Sequence, residues 1–447
     1  MSGIQRLFLS TIVVSVLIVG CGRVETTTTV PAQTDTQIPS ALTSSLMPPT
    51  FTAIPTNTQI PATATPTPAP TATALPTQIP IHTIAPYEKV PEQMDDGWQT
   101  ASLADVGIDP VWMTKMLESI YTGEQSDETF ALPGIGSKYL GIHNILIVKD
   151  GRLVFEEYFY FQSPYRKHEV ASVTKSFTSL LVGLAIEHGY LESLDEKILT
   201  FFPEYLPLQG ADEQVKKITV EDLLTMRHGW ECDDWDPASR TYYDNDHPLD
   251  RSDLVETILY FPMESSPGAS FSYCTSGTYV LNALLTKVTG MELSSFGEQY
   301  LFEPLGIESV SWIPFWGGWP EIGGVQSMRP RDMAKIGLLV LQNGNWNGEQ
   351  IISEDWIRLS TQEHLSLDPD QQPSWGEGYG YLWWLGDVRI IGSSVRSVCA
   401  LGGWQQVIAI FPKQDLVVVI NGGDHEDYEG QAFQIMEKFI LPAVLGY

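Results

Sequence analysis

Between Val24 and Pro86 the chain is dominated by threonine and proline, as in Thr63-Ala64-Thr65-Pro66-Thr67-Pro68-Ala69-Pro70. Charges nearly vanish there, and apolar periodicity is absent. Such a stretch cannot bury enough surface to offset the entropy of ordering it. It predicts a disordered, partly polyproline II tether over residues 22–86. The folded core must then come from residues 87–447, which suffice for one large domain or two. Hydrophobic residues make up 43% of the chain and charged residues 18%, the balance of an ordinary globular protein.

Ahead of the tether, Arg6 supplies a positive charge, and Leu7 to Val19 form an apolar run broken only by Ser and Thr. The run is short for a membrane span and suits the hydrophobic region of a signal peptide. It ends in Ile18-Val19-Gly20-Cys21, which resembles the lipobox of bacterial lipoproteins. That resemblance implies a signal peptide over residues 1–21, lipidation of Cys21 and export. The protein would then sit at the outer face of a bacterial membrane, held only by its N-terminal lipid. The plain alternative is a secretory signal with a chance cysteine.

Charge and motif content exclude several classes. The formal net charge is -30, from 55 acidic against 25 basic residues. No basic run offers a footprint for nucleic acid, and the same sign opposes docking on anionic lipid. The four cysteines form no CxxC pair, and the eight histidines include no HExxH. No metal site is therefore expected. Asp233, Asp234 and Asp236 are read as a polar loop with helix-capping aspartates rather than a calcium site. Dinucleotide and P-loop glycine patterns are absent, as is the Gly-x-Ser-x-Gly elbow, so no organic cofactor is expected either.

From Gly97 onward strand and helix signals begin. Ile145 to Val148 and Leu153 to Phe155 flank Lys149-Asp150-Gly151-Arg152, and the Asp-Gly pair predicts a hairpin. Val407 to Phe411 and Leu416 to Ile420 flank Pro412-Lys413-Gln414-Asp415 and predict a second. Between them, residues 173–188 place Phe177, Leu180, Leu181 and Leu184 on one helical face, with Gly189 as a stop. Residues 219–226, 279–289, 331–341 and 432–439 also predict helices. The expected fold class is α+β: an antiparallel sheet from N- and C-terminal segments, flanked by helices, with a helical region inserted.

Ser172-Val173-Thr174-Lys175 is the single Ser-x-x-Lys in the chain. At a helix start, residues three apart share a face, so hydroxyl and amine can meet. The helix N-terminus favours a developing alkoxide, and a desolvated lysine becomes a proton acceptor. Alone the motif is weak, and a capping serine followed by a surface lysine is the plain alternative.

Order and context add the weight. Ala171-Ser172-Val173-Thr174-Lys175-Ser176-Phe177 resembles the nucleophile box of the penicillin-recognising serine hydrolases. That family includes class C β-lactamases, D,D-peptidases, esterases and nylon-oligomer hydrolases. Further stretches follow in the family's order. They are Gly189 to Asp195, Ile218 to Met226, Pro267 to Tyr273, Phe302 to Ile307 and Gly323 to Ser327. The resemblance spans nearly all of the chain from about Gly97. It implies a β-lactamase/transpeptidase-like fold, with Ser172 as nucleophile and Lys175 and Tyr273 as proton-transfer groups.

Two departures from the family pattern shape the expected substrate. Tyr273-Cys274-Thr275 stands where the family has Tyr-x-Asn, so Thr275 is expected near substrate with fewer donors than an amide. Ala400-Leu401-Gly402 stands where the family has Lys-Thr-Gly or His-x-Gly. Ala400 and Leu401 cannot hold a substrate carboxylate, and a solvated Arg396 is the expected reading of the nearest cation. Gly402 and Gly403 remain, and the resemblance assigns the second oxyanion donor, beside the Ser172 N–H, to Gly403. Trp404, beside that strand, is expected with Gly402 at the substrate site, lining an apolar acyl pocket. Trp312, Trp316, Trp319, Trp383 and Trp384 are expected mostly in core or rim packing.

Export makes a disulfide plausible, and Cys232–Cys274 is the preferred pairing, leaving Cys399 free. Sequence supplies no distance to decide it. The expected function is an esterase or amidase acting on a small-molecule or peptide acyl substrate through an acyl-enzyme. A D,D-peptidase or β-lactamase is the first alternative, and a non-catalytic envelope binding protein is the second.

Overall fold

Strands as apolar as Ile145–Val148 and Leu416–Ile420 are stable only with both faces covered. In the computed structural model, which describes residues 85–122, 141–234, 253–313, 321–368, 376–423 and 430–447, these two lie side by side. They belong to an eight-stranded sheet whose strands are β1 (Ile142–Lys149), β2 (Arg152–Tyr158), β3 (Leu365–Ser366), β4 (Gly376–Tyr379), β5 (Trp384–Ile390), β6 (Ser393–Gly402), β7 (Gln406–Phe411) and β8 (Leu416–Gly422). Their spatial order is β2-β1-β8-β7-β6-β5-β4-β3, with every pairing antiparallel. Ile145 faces Ile420 and Ile147 faces Val418, so the two predicted hairpins join into one surface. The sequence pattern found the end of β6 but not its reach back to Ser393, nor its partner β5. Glycines, serines and charges in residues 386–397 dilute the strand signal there.

The principal helices are α1 (Pro110–Thr122), α2 (Val173–Glu187), α3 (Thr275–Thr289), α4 (Pro330–Leu341) and α5 (Glu354–Thr361). α4 crosses β1, β7 and β8, while α2 packs on α3 and β6. The mixed helix and antiparallel-sheet architecture is the α+β class expected. A short helix, Val220–Leu224, begins at a capping box made by Thr219 and Asp222.

α3 begins at Thr275, four residues before the apolar pattern predicts. Thr275, Ser276, Gly277 and Thr278 are poor helix formers, and the group that caps them comes from elsewhere in the chain. The last predicted helix divides into Gly430–Ile435, a wider turn over Met436–Ile440, and Leu441–Leu445.

Buried charges pin the N-terminal arm to this frame. Arg331 on α4 donates to Glu156 of β2 at 2.7 and 2.5 Å, to Asp96 at 2.8 Å and to the Glu92 carbonyl at 2.9 Å. Such a cluster is stable only while every charge has its partner. Among the described residues no helix is long and apolar enough to cross a membrane. Residues 1–84, which carry Cys21, the signal segment and nearly all of the expected tether, lie outside them.

Candidate active site

The backbone entering α2 is unusual. Ala171 sits at φ 46°, a left-handed conformation that costs a non-glycine residue free energy and recurs at functional sites. It follows a two-stranded contact in which His168 pairs with Met328 and Glu169 with Ser327. Ser172 is the N-cap of α2, yet its side chain makes no capping bond. Its Oγ lies 2.8 Å from Lys175 Nζ, which donates to it. Lys175 is 3% exposed. Both facts remove the alternative of a capping serine with a surface lysine.

Lys175 Nζ lies 4.8 Å from the centre of the Tyr273 ring, within the range of a cation–π contact. The structure thus gathers Ser172, Lys175 and Tyr273 from two helix starts about a hundred residues apart. Tyr273 is buried and belongs to an aromatic wall. Trp384 lies 5.3 Å from it by ring centres, Tyr379 lies 4.9 Å from Trp384, and Phe271 lies 5.2 Å from Tyr379. Burial pushes the Tyr379 phenol well above its usual range, and the nearby Tyr273 and Asp234 add to the effect. Tyr379 therefore stays neutral.

α2 is locked from several sides by polar side chains inside an apolar packing. Ser176 donates to the Leu382 carbonyl at 2.7 Å, and Thr174 accepts from Val325 N at 2.8 Å. Thr178 donates to Asn282, which donates to the Ile322 carbonyl. Gly324 must be glycine, because a Cβ there would lie 2.4 Å from Thr174 Oγ1.

At the end of β6, Gly402 lies flush against the nucleophile segment. A Cβ on it would meet Val170 O at 2.5 Å and Ser172 N at 3.0 Å. Gly403 follows in the turn to β7, where Trp404 and Gln405 both take left-handed conformations, φ 63° and 67°. Three buried amides hold this turn. Gln406 Nε2 donates to the Trp404 carbonyl at 2.9 Å and to the Gly422 carbonyl at 2.8 Å. Asn421 donates to Gln406 Oε1 at 2.8 Å, and Gln405 Oε1 accepts from Ala432 N at 2.9 Å. Sequence reasoning missed all three. The signal was available: lone amides at the ends of strands that are otherwise wholly apolar.

Other expected residues fall differently. Thr275 was placed toward substrate, but its hydroxyl donates to Asp234 Oδ2, and its N–H lies 3.1 Å from both carboxylate oxygens. Its donor hydrogen is thus committed within the protein. Arg396 is taken up by Glu363 at 3.1 Å, Asp387 at 3.5 Å and Glu377 at 3.9 Å, so it does not replace the missing substrate cation. Trp383 is fully buried, and Trp312 packs on Phe302 with ring centres 6.0 Å apart. Trp316, Trp319 and Asp236 lie outside the described residues. Cys232 is disulfide-bonded to Cys274, with Cα atoms 5.5 Å apart, and Cys399 is free and buried.

A serine and a lysine on one helical turn, a tyrosine over the lysine and a glycine strand edge against the serine define a class: serine hydrolases that work by acyl transfer. Residues 144–431 match the Beta-lactamase family model, and the chain belongs to that family. It is therefore a serine hydrolase acting on small-molecule or peptide substrates. The 6-aminohexanoate-dimer hydrolase of Paenarthrobacter ureafaciens is 24% identical over 287 residues, covering 61% of this chain and 70% of the relative. A penicillin-binding protein homolog from Caulobacter crescentus is structurally similar at TM-score 0.54 and 16% identity, covering 75% of this chain and 98% of its own. EstCE1, described as a hydrolase with promiscuous acyltransferase activity, gives TM-score 0.51 at 17% identity, covering 67% and 92%. These two structural likenesses establish the fold alone.

Proposed function

We propose that this protein is an exported, lipid-anchored esterase or amidase that cleaves acyl substrates lacking a carboxylate beside the scissile bond. The observation that carries the catalytic part is the 2.8 Å contact between Lys175 Nζ and Ser172 Oγ, with the same amine 4.8 Å from the centre of the Tyr273 ring. Ser172 Oγ attacks the substrate carbonyl as Lys175 takes its proton. The oxyanion rests on the N–H groups of Ser172 and Gly403; one such donor contributes about 10²–10³-fold to kcat. The proton held by Lys175 passes through the Tyr273 hydroxyl, which gives up its own proton to the leaving group and takes the lysine's in return, so both groups regain their starting state. Water then attacks the ester on Ser172, and the same groups return the proton.

The preference for carboxylate-free substrates is supported by Ala400 and Leu401, both apolar and buried, and by the engagement of Arg396 elsewhere. It also agrees with a relative named for hydrolysing a 6-aminohexanoate dimer. Export and anchoring rest on the apolar run and Cys21. Cys21→Ser is expected to move the protein from the membrane fraction to the soluble fraction.

The deciding experiment is intact mass after incubation with a fluorophosphonate. A single adduct, lost in Ser172→Ala, is the expected result. No adduct on folded wild-type protein would favour a binding protein instead. Short p-nitrophenyl esters should turn over faster than a chromogenic cephalosporin. The reverse order would point to a β-lactamase or D,D-peptidase.

A further inference from the structure

The stretch 272–275 that carries Tyr273 is joined to residues 226–234 at every position. Ser272 N donates to the Met226 carbonyl at 2.9 Å, and Ser272 Oγ donates to the Cys232 carbonyl at 2.6 Å. The Tyr273 carbonyl accepts from Asp234 N at 2.8 Å. Cys274 is bonded to Cys232. Thr275 donates both its N–H and its hydroxyl to the Asp234 carboxylate. A helix start leaves backbone N–H groups without partners. Here the N-cap residue, Cys274, makes no side-chain capping bond. The cap arrives from 41 residues away and brings a negative charge to the positive end of the helix.

We infer that Asp234 is a positioning residue for Tyr273, acting through Thr275. The inference rests on the acyl-enzyme reading above. The disulfide alone would keep the two segments together, but one covalent link leaves the helix free to rotate about it. The two charge-assisted bonds to Thr275 and the bond to the Tyr273 carbonyl fix that rotation. They hold the phenol at its station over Lys175 Nζ. Proton transfer tolerates little error, and a misplacement of about 1 Å can cost about 10²-fold. The threonine found in place of the family's asparagine thus faces inward, as the acceptor's partner in a brace.

The test compares kcat and KM for p-nitrophenyl butyrate hydrolysis by the full chain, alongside fluorophosphonate labelling of Ser172. Asp234→Ala and Thr275→Val should each lower kcat about ten- to a hundredfold, with KM within about twofold. Thr275→Ser, which keeps the hydroxyl, should retain at least about half of wild-type kcat. The double variant should be no worse than the poorer single one, because the two residues act as one unit. Asp234→Asn, nearly isosteric, covers the case in which Asp234→Ala fails to fold. Unchanged kcat in folded Asp234→Asn and Thr275→Val, or strictly additive losses, would overturn the inference while leaving the Ser172 adduct intact. Absence of that adduct in wild type would sink the acyl-enzyme reading and this inference with it.

Discussion

Lys175 is buried to 3% exposure, hydrogen-bonded to Ser172 and set against an aromatic ring. A residue kept in such a place for chemistry rather than cohesion gives a clear signature. Lys175→Met is expected to lower kcat/KM about 10²–10⁴-fold while its thermal midpoint does not fall. A large loss of midpoint would instead mark the lysine as structural. Gly402 makes the opposite kind of demand. Gly402→Ala drives a Cβ into the Val170 carbonyl and the Ser172 amide. It should cut fluorophosphonate labelling at least about tenfold with an unchanged circular dichroism spectrum; wild-type labelling would mean that the strand yields without moving Ser172. That Ser172, Lys175 and Tyr273 come together was legible in the sequence, because a helical turn and a known order of motifs constrain them. Asp234 as the partner of Thr275 was not legible, because a contact across 41 residues leaves no periodic trace.

At the scale of elements, the two hairpins and α2 were legible from alternation, an Asp-Gly turn and a terminal glycine. The start of α3 was not, since its first turn is built from weak helix formers and borrows its cap. The Arg331 cluster joins α4, β2 and the N-terminal arm through side chains that pattern analysis treats as surface. Arg331→Met should destabilise the protein by about 3–5 kcal/mol, because Glu156 and Asp96 remain buried without their partner. Urea titration measures this. Adding Glu156→Gln and Asp96→Asn should recover much of the loss, and no recovery would show that packing of the arginine stem dominates.

Across the whole molecule, two desolvated histidines, the buried His228 and the half-buried His143, set an acid limit. Burial lowers His228 to about 4, and burial with the neighbouring His168 lowers His143 to about 4. Unfolded histidine titrates near 6.5. The folded values lie below that, so these residues stabilise the fold fully above about pH 6.5, and the contribution is lost as pH falls toward 4. For the fully buried His228 the slope is about 1.4 kcal/mol per pH unit. His228→Gln should flatten the dependence of the urea midpoint between pH 6.5 and 4.5 relative to wild type, and parallel curves would contradict the assignment.

The order of the sheet has a consequence in time. In the sheet β1 lies between β2 and β8, and α1 packs against residues 436–440. A chain that emerges N-terminus first therefore presents Ser172 long before Gly402, and β1 waits for about 270 residues before its second neighbour exists. Pairings so distant along the chain make folding slow and leave open strand edges meanwhile. The nucleophile helix alone therefore does not complete the site: Gly402, against which Ser172 lies, comes from a part of the chain more than two hundred residues later.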